Sequence, residues 1–184
     1  MPLRGDGLHR VLYKCPHCKS ETGMKGEGEK LTCAACGAEW TMQASGELSS
    51  SDPVFTHIPD WYKWEREQVR EEIEKGEYKL DIPVDIRIMT DMKYIYEVGE
   101  GRLTHDCNGF ALNGCGGKID YKQSPLASYS VYSDYFWYEL GDMVCIGNKN
   151  KLFYCFPQDK TVPVAKIRLA AEELYKEKRK EIKK

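Results

Sequence analysis

From Leu80 onward apolar residues recur at every second position: Leu80, Ile82, Val84, Ile86 and Ile88 alternate with Asp81, Pro83, Asp85 and Arg87. A period of two predicts a strand with one buried face. Pro83, which lacks an N–H for a ladder, places that strand at a sheet edge. Strand-like runs follow at residues 93–98, 102–112, 118–121, 128–138, 143–147 and 152–156. The breaks between them carry turn residues: Gly99-Glu100-Gly101, the N-G-C-G-G of 113–117, Gly141-Asp142, the G-N-K-N of 147–150 and Pro157-Gln158-Asp159. Seven short strands with frequent turns predict an antiparallel barrel or sandwich.

Two stretches have the helical period instead. Between Asp60, a fitting N-cap, and Gly76, a fitting C-terminal stop, Trp61, Trp64, Val69 and Ile73 form a loose apolar stripe. Glu65 and Arg66 each have an opposite charge available one turn away, and the two tryptophans are expected to dock the helix on its neighbours. After Pro163, the residues Val164, Ile167, Ala171, Leu174, Tyr175 and Ile182 recur at three- and four-residue steps, so an amphipathic helix closes the chain. Seven strands capped by one such helix is the layout of a pleckstrin-homology-like (PH-like) domain. The expected class is therefore α+β: a ribbon over residues 1–52, a linker and helix over 53–78, and a PH-like β domain with its C-terminal helix over 79–184. Residues 1–12, with Leu8, Val11 and Leu12, read as a lead-in strand or tether. A first metal ligand this close to Gly5-Asp6-Gly7 suggests a piece of a longer chain.

The ribbon is set by cysteines. Cys15 and Cys18 form one C-x-x-C and Cys33 and Cys36 a second, separated by a Gly- and Glu-rich loop. Four thiolates from two tight knuckles suit the tetrahedral corners of zinc, and a full set of protein ligands makes the site structural, with no open position. Gly37 suits the positive φ of a knuckle, and Tyr13 and Trp40 flank the two knuckles. The string C-P-H-C also occurs in dithiol oxidants, but that chemistry needs a helix N-terminus at the first thiol, and K-S-E-T-G-M-K-G after Cys18 is not helical. His17 reads as a loop residue. The group His105, Asp106, Cys107 and Cys115 matches no common zinc spacing and reads as a strand edge with a free thiol. Cys145 and Cys155 read as small core residues.

Composition narrows the function classes. The 184 residues are 41% hydrophobic and 30% charged, with a formal net charge of −2, which is not the balance of a chain that holds nucleic acid by bulk charge. Residues 1–60 carry six Lys/Arg against eight Asp/Glu, the wrong sign for phosphate contacts, so a nucleic-acid-binding ribbon is the lesser alternative. A zinc-type cysteine pattern without a secretion signal fits a reducing cytoplasm. The end of the last helix is basic, with Lys176, Lys178, Arg179, Lys180, Lys183 and Lys184 diluted by Glu172, Glu173, Glu177 and Glu181. It reads as a solvated helix end, or as a contact for anionic lipid head groups through Lys176, Lys178, Arg179 and Lys180. No Ser/His/Asp or Cys/His set and no phosphate-binding loop can be assembled.

The strings Y-K-C-P-H-C, C-A-A-C, F-T-H-I-P-D-W-Y-K-W-E-R, G-R-L-T-H-D-C-N-G-F and A-A-E-E-L-Y-K, in that order, resemble the C-terminal extension of certain bacterial 1-acyl-sn-glycerol-3-phosphate acyltransferases. The resemblance covers nearly the whole chain. It implies an accessory part of a phospholipid-synthesis enzyme, with a catalytic acyltransferase domain in the same parent chain as partner and a place at the inner membrane face. That family uses a His and an Asp separated by four residues, the His acting as general base. Five positions after His9, His17, His57 and His105 stand Lys14, Thr22, Tyr62 and Phe110. The motif is absent, so no catalytic residue carries over.

Overall fold

The computed structural model describes residues 3–90 and 94–182. The chain divides into two compact units, Met1–Gln68 and Val69–Lys184, and the division falls inside a helix.

In the first unit a 3-10 turn, Leu8–Arg10, leads to four short strands, β1 (Met24–Glu27), β2 (Lys30–Cys33), β3 (Glu39–Met42) and β4 (Leu48–Ser49). They form one antiparallel sheet in the order β1-β2-β3-β4. Of the expected lead-in strand or tether, the described residues form no strand. Gly5 instead donates its N–H to Gly28, and Gly26 donates to Nδ1 of His9, so the lead-in folds back across β1. A Cβ at Gly26 would run into the carbonyl of Gly5, so the close approach needs a glycine there. Helix α1 (Ile58–Glu74) begins two residues before the expected N-cap Asp60, with Pro59 in its first turn. Gly76 ends it as expected, at φ 72°, with its N–H on the Ile73 carbonyl.

The second unit is one seven-stranded sheet: β5 (Leu80–Thr90), β6 (Tyr94–Asp106), β7 (Gly109–Gly114), β8 (Ile119–Gln123), β9 (Tyr132–Trp137), β10 (Gly141–Asn148) and β11 (Lys151–Pro157). The order is β8-β7-β6-β5-β11-β10-β9 and every pair is antiparallel. Of the expected barrel or sandwich, the strands form a single antiparallel sheet that is not closed into a barrel, because β8 and β9 do not pair. Where a ladder would continue, a Gln123 side-chain oxygen accepts the N–H of Gly147 on β10. The chain from β8 to β9 runs against helix α2 (Val164–Ile182), with Ser130 bonded to Glu172. One face of the sheet and α2 enclose the main core, in which Val84, Ile86, Leu103, Leu112, Phe153, Val164 and Ile167 are almost fully buried. On the opposite face Met143, Cys145, Tyr154 and Phe156 form a second cluster, and Trp137 stacks on Tyr154 at 4.9 Å. Cys145 and Cys155 are thus core residues on opposite faces.

Three expectations about the strands are corrected. β5 is interior rather than an edge. Pro83 fits because the β11 ladder begins at Val84: beyond it only the Pro83 carbonyl is used, accepting the Gln158 N–H at 3.1 Å, and no N–H is required. Gly99 and Gly101 are not a turn. β6 runs through both, with a bulge at Val98 where Ile86 opposes Gly99 and Arg87 opposes Glu97. The run 102–112, expected as one strand, is broken by a hairpin at Asp106-Cys107-Asn108-Gly109, with Asn108 N–H on the Asp106 carboxylate at 2.7 Å and Gly109 at φ 100°. The expected strand 93–98 also includes Lys93, which lies outside the described residues.

Gly101 and Gly114 face each other across β6 and β7, and a Cβ on either would stand 2.6 Å from Cδ1 of Ile86. Gly101→Ala should therefore destabilise the second unit by about 2 kcal/mol. Adding Ile86→Val should recover only part of this, because the Asn113 carbonyl would still lie 2.7 Å from the new Cβ. Urea unfolding of the single and double variants measures both effects.

His105 is buried at the start of the β6–β7 hairpin. Its Nδ1 lies 2.9 Å from the Tyr78 hydroxyl, and its ring stacks on Phe110 with centroids 3.6 Å apart. Burial pushes its pKa down to about 3, so the folded state holds it neutral. The unfolded chain takes up a proton below about pH 6.5 and the folded chain does not. Stability of the second unit should thus fall as pH drops from about 6.5 toward 3, and His105→Gln should flatten that limb in chemical denaturation at stepped pH.

Candidate metal centre

Two loops of one design carry the four predicted cysteines. In the first, the N–H of Lys19 bonds the Cys15 carbonyl at 2.9 Å and the N–H of Cys15 bonds the Ser20 carbonyl at 2.9 Å. In the second, Gly37 bonds Cys33 at 2.8 Å and Cys33 bonds Ala38 at 2.8 Å. The N–H groups of His17 and Cys18 point at the Cys15 sulfur, and those of Ala35 and Cys36 at the Cys33 sulfur. Such donors stabilise thiolate on both. Gly37 has φ 75°, and Lys19 fills the equivalent position at φ 64°. A lysine there is offset by its own contacts: Nζ donates to the Pro16 carbonyl at 2.9 Å and lies 4.5 Å above the Trp64 ring.

The four Sγ atoms converge to within 4.8 Å of one another. Cys15 and Cys36 sulfurs are 3.7 Å apart, and Cys18 and Cys33 sulfurs 3.6 Å apart. A tetrahedral ion with metal–sulfur bonds near 2.3 Å puts its sulfurs about 3.8 Å from each other. The donor set therefore fits a tetrathiolate metal site and leaves it no open position. Cys15 and Cys33 are buried, Cys18 and Cys36 exposed. Without a metal, burial raises Cys15 to about 12, while the Ser20 N–H lowers Cys18 to about 7. After Cys18 the chain turns toward β1 and no helix begins there, so the arrangement lacks the helix N-terminus of a dithiol oxidant.

The other predicted residues fall elsewhere. His17 is exposed, its ring 5.5 Å from Trp40, and it is not among the converging ligands. Tyr13 and Trp40 are buried beside the knuckles as expected. Cys107 is exposed in its hairpin, and the Cys115 thiol bonds the Val98 carbonyl at 3.3 Å. At the end of α2, Lys176 is held by Glu173 at 2.6 Å and Lys178 by Glu181 at 3.0 Å. Arg179 lies over the Tyr175 ring at 5.8 Å, and neither it nor Lys180 has an ion pair among the described residues. Lys183 and Lys184 lie outside the described residues.

One residue beside the centre differs from its sequence reading. Glu65, expected to pair with a charge on the helix surface, is fully buried and accepts the backbone N–H of Lys14 at 2.8 Å. Burial pushes its carboxyl up to about 9, against the opposing effect of N–H groups from Lys14 and Tyr13. The signal was available: Trp61, Glu65 and Val69 lie at four-residue steps on one helix face. No known protein family, curated protein or solved structure matches this chain.

Replacing any one of the four cysteines with Ser should remove stoichiometric metal and abolish the cooperative unfolding of the first unit. Acid should do the same reversibly, because protons displace the metal from thiolates. Metal analysis beside thermal unfolding checks this, and retained metal with an unchanged melting curve would refute it.

Proposed function

We propose that the chain is a non-catalytic docking module of a phospholipid-synthesis acyltransferase, with a zinc ribbon in its first unit and a PH-like second unit. The observation that carries this reading is the closed four-thiolate centre. A zinc held there has no position for water or substrate, so its contribution is to hold the fold. When bound, it supplies four strong bonds that tie two knuckles together.

The strings behind the acyltransferase resemblance support a framework role. In W-Y-K-W-E-R, Trp61 and Glu65 bind the chain next to Cys15. In T-H-D-C-N-G-F, His105 and Phe110 stack to close a hairpin. Neither string presents a base to a substrate. Seven strands followed by a closing helix support the PH-like reading. Lipid contact is supported by Arg179 and Lys180 at the end of α2. At roughly 1 kcal/mol per cation near an anionic surface, two such groups make an auxiliary contact rather than an anchor. Exposed Tyr132, Phe136 and Tyr138 on β9 and the turn after it add rings of the kind that settle at head-group level. No described helix is long and apolar enough to cross a membrane. Nucleic-acid binding gains nothing from the structure: Arg4, Lys14, Lys25 and Lys30 are each paired with a glutamate of the first unit.

Co-sedimentation with vesicles tests the reading. Binding to phosphatidic-acid vesicles should exceed binding to neutral vesicles, weaken as salt rises, and fall severalfold in the Arg179→Glu/Lys180→Glu variant. Equal retention on neutral and anionic vesicles, or acyl transfer by this chain alone, would overturn it.

A further inference from the structure

The two knuckles are alike in themselves but not in what supports them. The second lies between β2 and β3, which pair with each other in register from Lys30 opposite Thr41 to Thr32 opposite Glu39. Residues 11–14, before the first knuckle, belong to no strand. Helix α1 holds them instead. The indole Nε1 of Trp61 donates to the Lys14 carbonyl at 2.9 Å. One turn later, Glu65 accepts the Lys14 N–H at 2.8 Å. Both side chains are fully buried. The Lys14 carbonyl belongs to the peptide group whose nitrogen is that of Cys15, and this nitrogen donates to Ser20 at 2.9 Å. The peptide plane that leads into the first metal ligand is therefore fixed at both edges, which sets the direction in which the Cys15 sulfur points. Trp61 in turn packs on Trp40, 4.7 Å away, and Trp40 stands two residues outside the second knuckle's closing turn.

We propose that Trp61 and Glu65 are positioning residues of the metal centre, and that α1 gives the first knuckle the support that a strand pair gives the second. Metal affinity and the seating of the first turns of α1 are then one coupled equilibrium. Whatever factor the seated helix adds to metal affinity, the bound metal adds to seating of the helix. A buried N–H or C=O left without its partner is costly enough to make the coupling large.

The proposal rests on metal being held at the four thiolates. The test therefore uses cobalt on the full chain, since the thiolate-to-cobalt absorption reports tetrahedral loading in each variant. Glu65→Ala and Trp61→Phe should weaken zinc binding about 10–100-fold in competition with a chromophoric chelator. Glu65→Gln, which keeps an acceptor oxygen, should recover most of the loss. Ile58→Val, on the same helix and packed on the same core but outside this hydrogen-bond set, should stay near wild type. Amides of residues 61–68 should lose hydrogen-exchange protection when the metal is removed. If Glu65→Ala does not fold, Trp61→Phe against Ile58→Val decides the matter. Tetrahedral cobalt spectra with zinc affinity within threefold of wild type in Trp61→Phe and Glu65→Ala would overturn the proposal. So would equal losses in Glu65→Ala and Glu65→Gln. Absence of cobalt absorption from wild type itself would instead remove the metal reading on which it stands.

Discussion

The first unit is built around four sulfurs brought to one point. Its strands are two to four residues long, and its core rests on Leu12, Leu31, Trp40, Leu48 and Trp61. A unit of some sixty residues buries too little apolar surface to be more than marginal without help. Metal–thiolate bonds can supply that help only if both knuckles are already shaped. The backbone N–H groups aimed at Cys15 and Cys33, and the turn geometry at Lys19 and Gly37, do the shaping. Glu65 extends the same dependence into α1. A carboxyl buried against a backbone N–H is tolerated because burial keeps it protonated.

The second unit has no such dependence. Its core spans the inner face of seven strands and one side of α2. The sheet stays open at β8 and β9, with a bulge at Val98 and a close approach of Gly101 and Gly114 beneath Ile86. Buried His105 adds an acid-sensitive point beside a core that is mainly apolar. The two units thus differ in kind: the first gathers four thiols that could hold a metal, and the second buries a neutral imidazole.

Much of this was legible in the residues. The paired C-x-x-C spacing located the four converging cysteines, because a tight knuckle leaves few other uses for two thiols. Gly76 marked the end of α1, and period-two alternation located β5. Other features were misread because one residue type serves two physical ends. Gly99 and Gly101 looked like a turn, yet the first permits a bulge and the second a close approach of two strands, while the Asn108-Gly109 signal for the true hairpin lay a few residues on. Pro83 implied an edge, but a proline is as well accommodated where a neighbouring ladder has not yet begun. Barrel closure depends on whether two edge strands separated by eight residues, 124–131, pair with each other, which local pattern does not encode. Glu65 escaped notice because charge on a helix is usually solvated, and only its tertiary partner, the Lys14 backbone, makes its burial affordable.

X-ray absorption at the zinc edge of the purified chain tests the central claim most directly. Convergence of Cys15, Cys18, Cys33 and Cys36 predicts one zinc per chain with four sulfur neighbours at about 2.3 Å and no nitrogen or oxygen in the first shell. A shell containing imidazole nitrogen or water oxygen would contradict a closed tetrathiolate centre, as would a metal-free chain whose four cysteines are oxidised to disulfides.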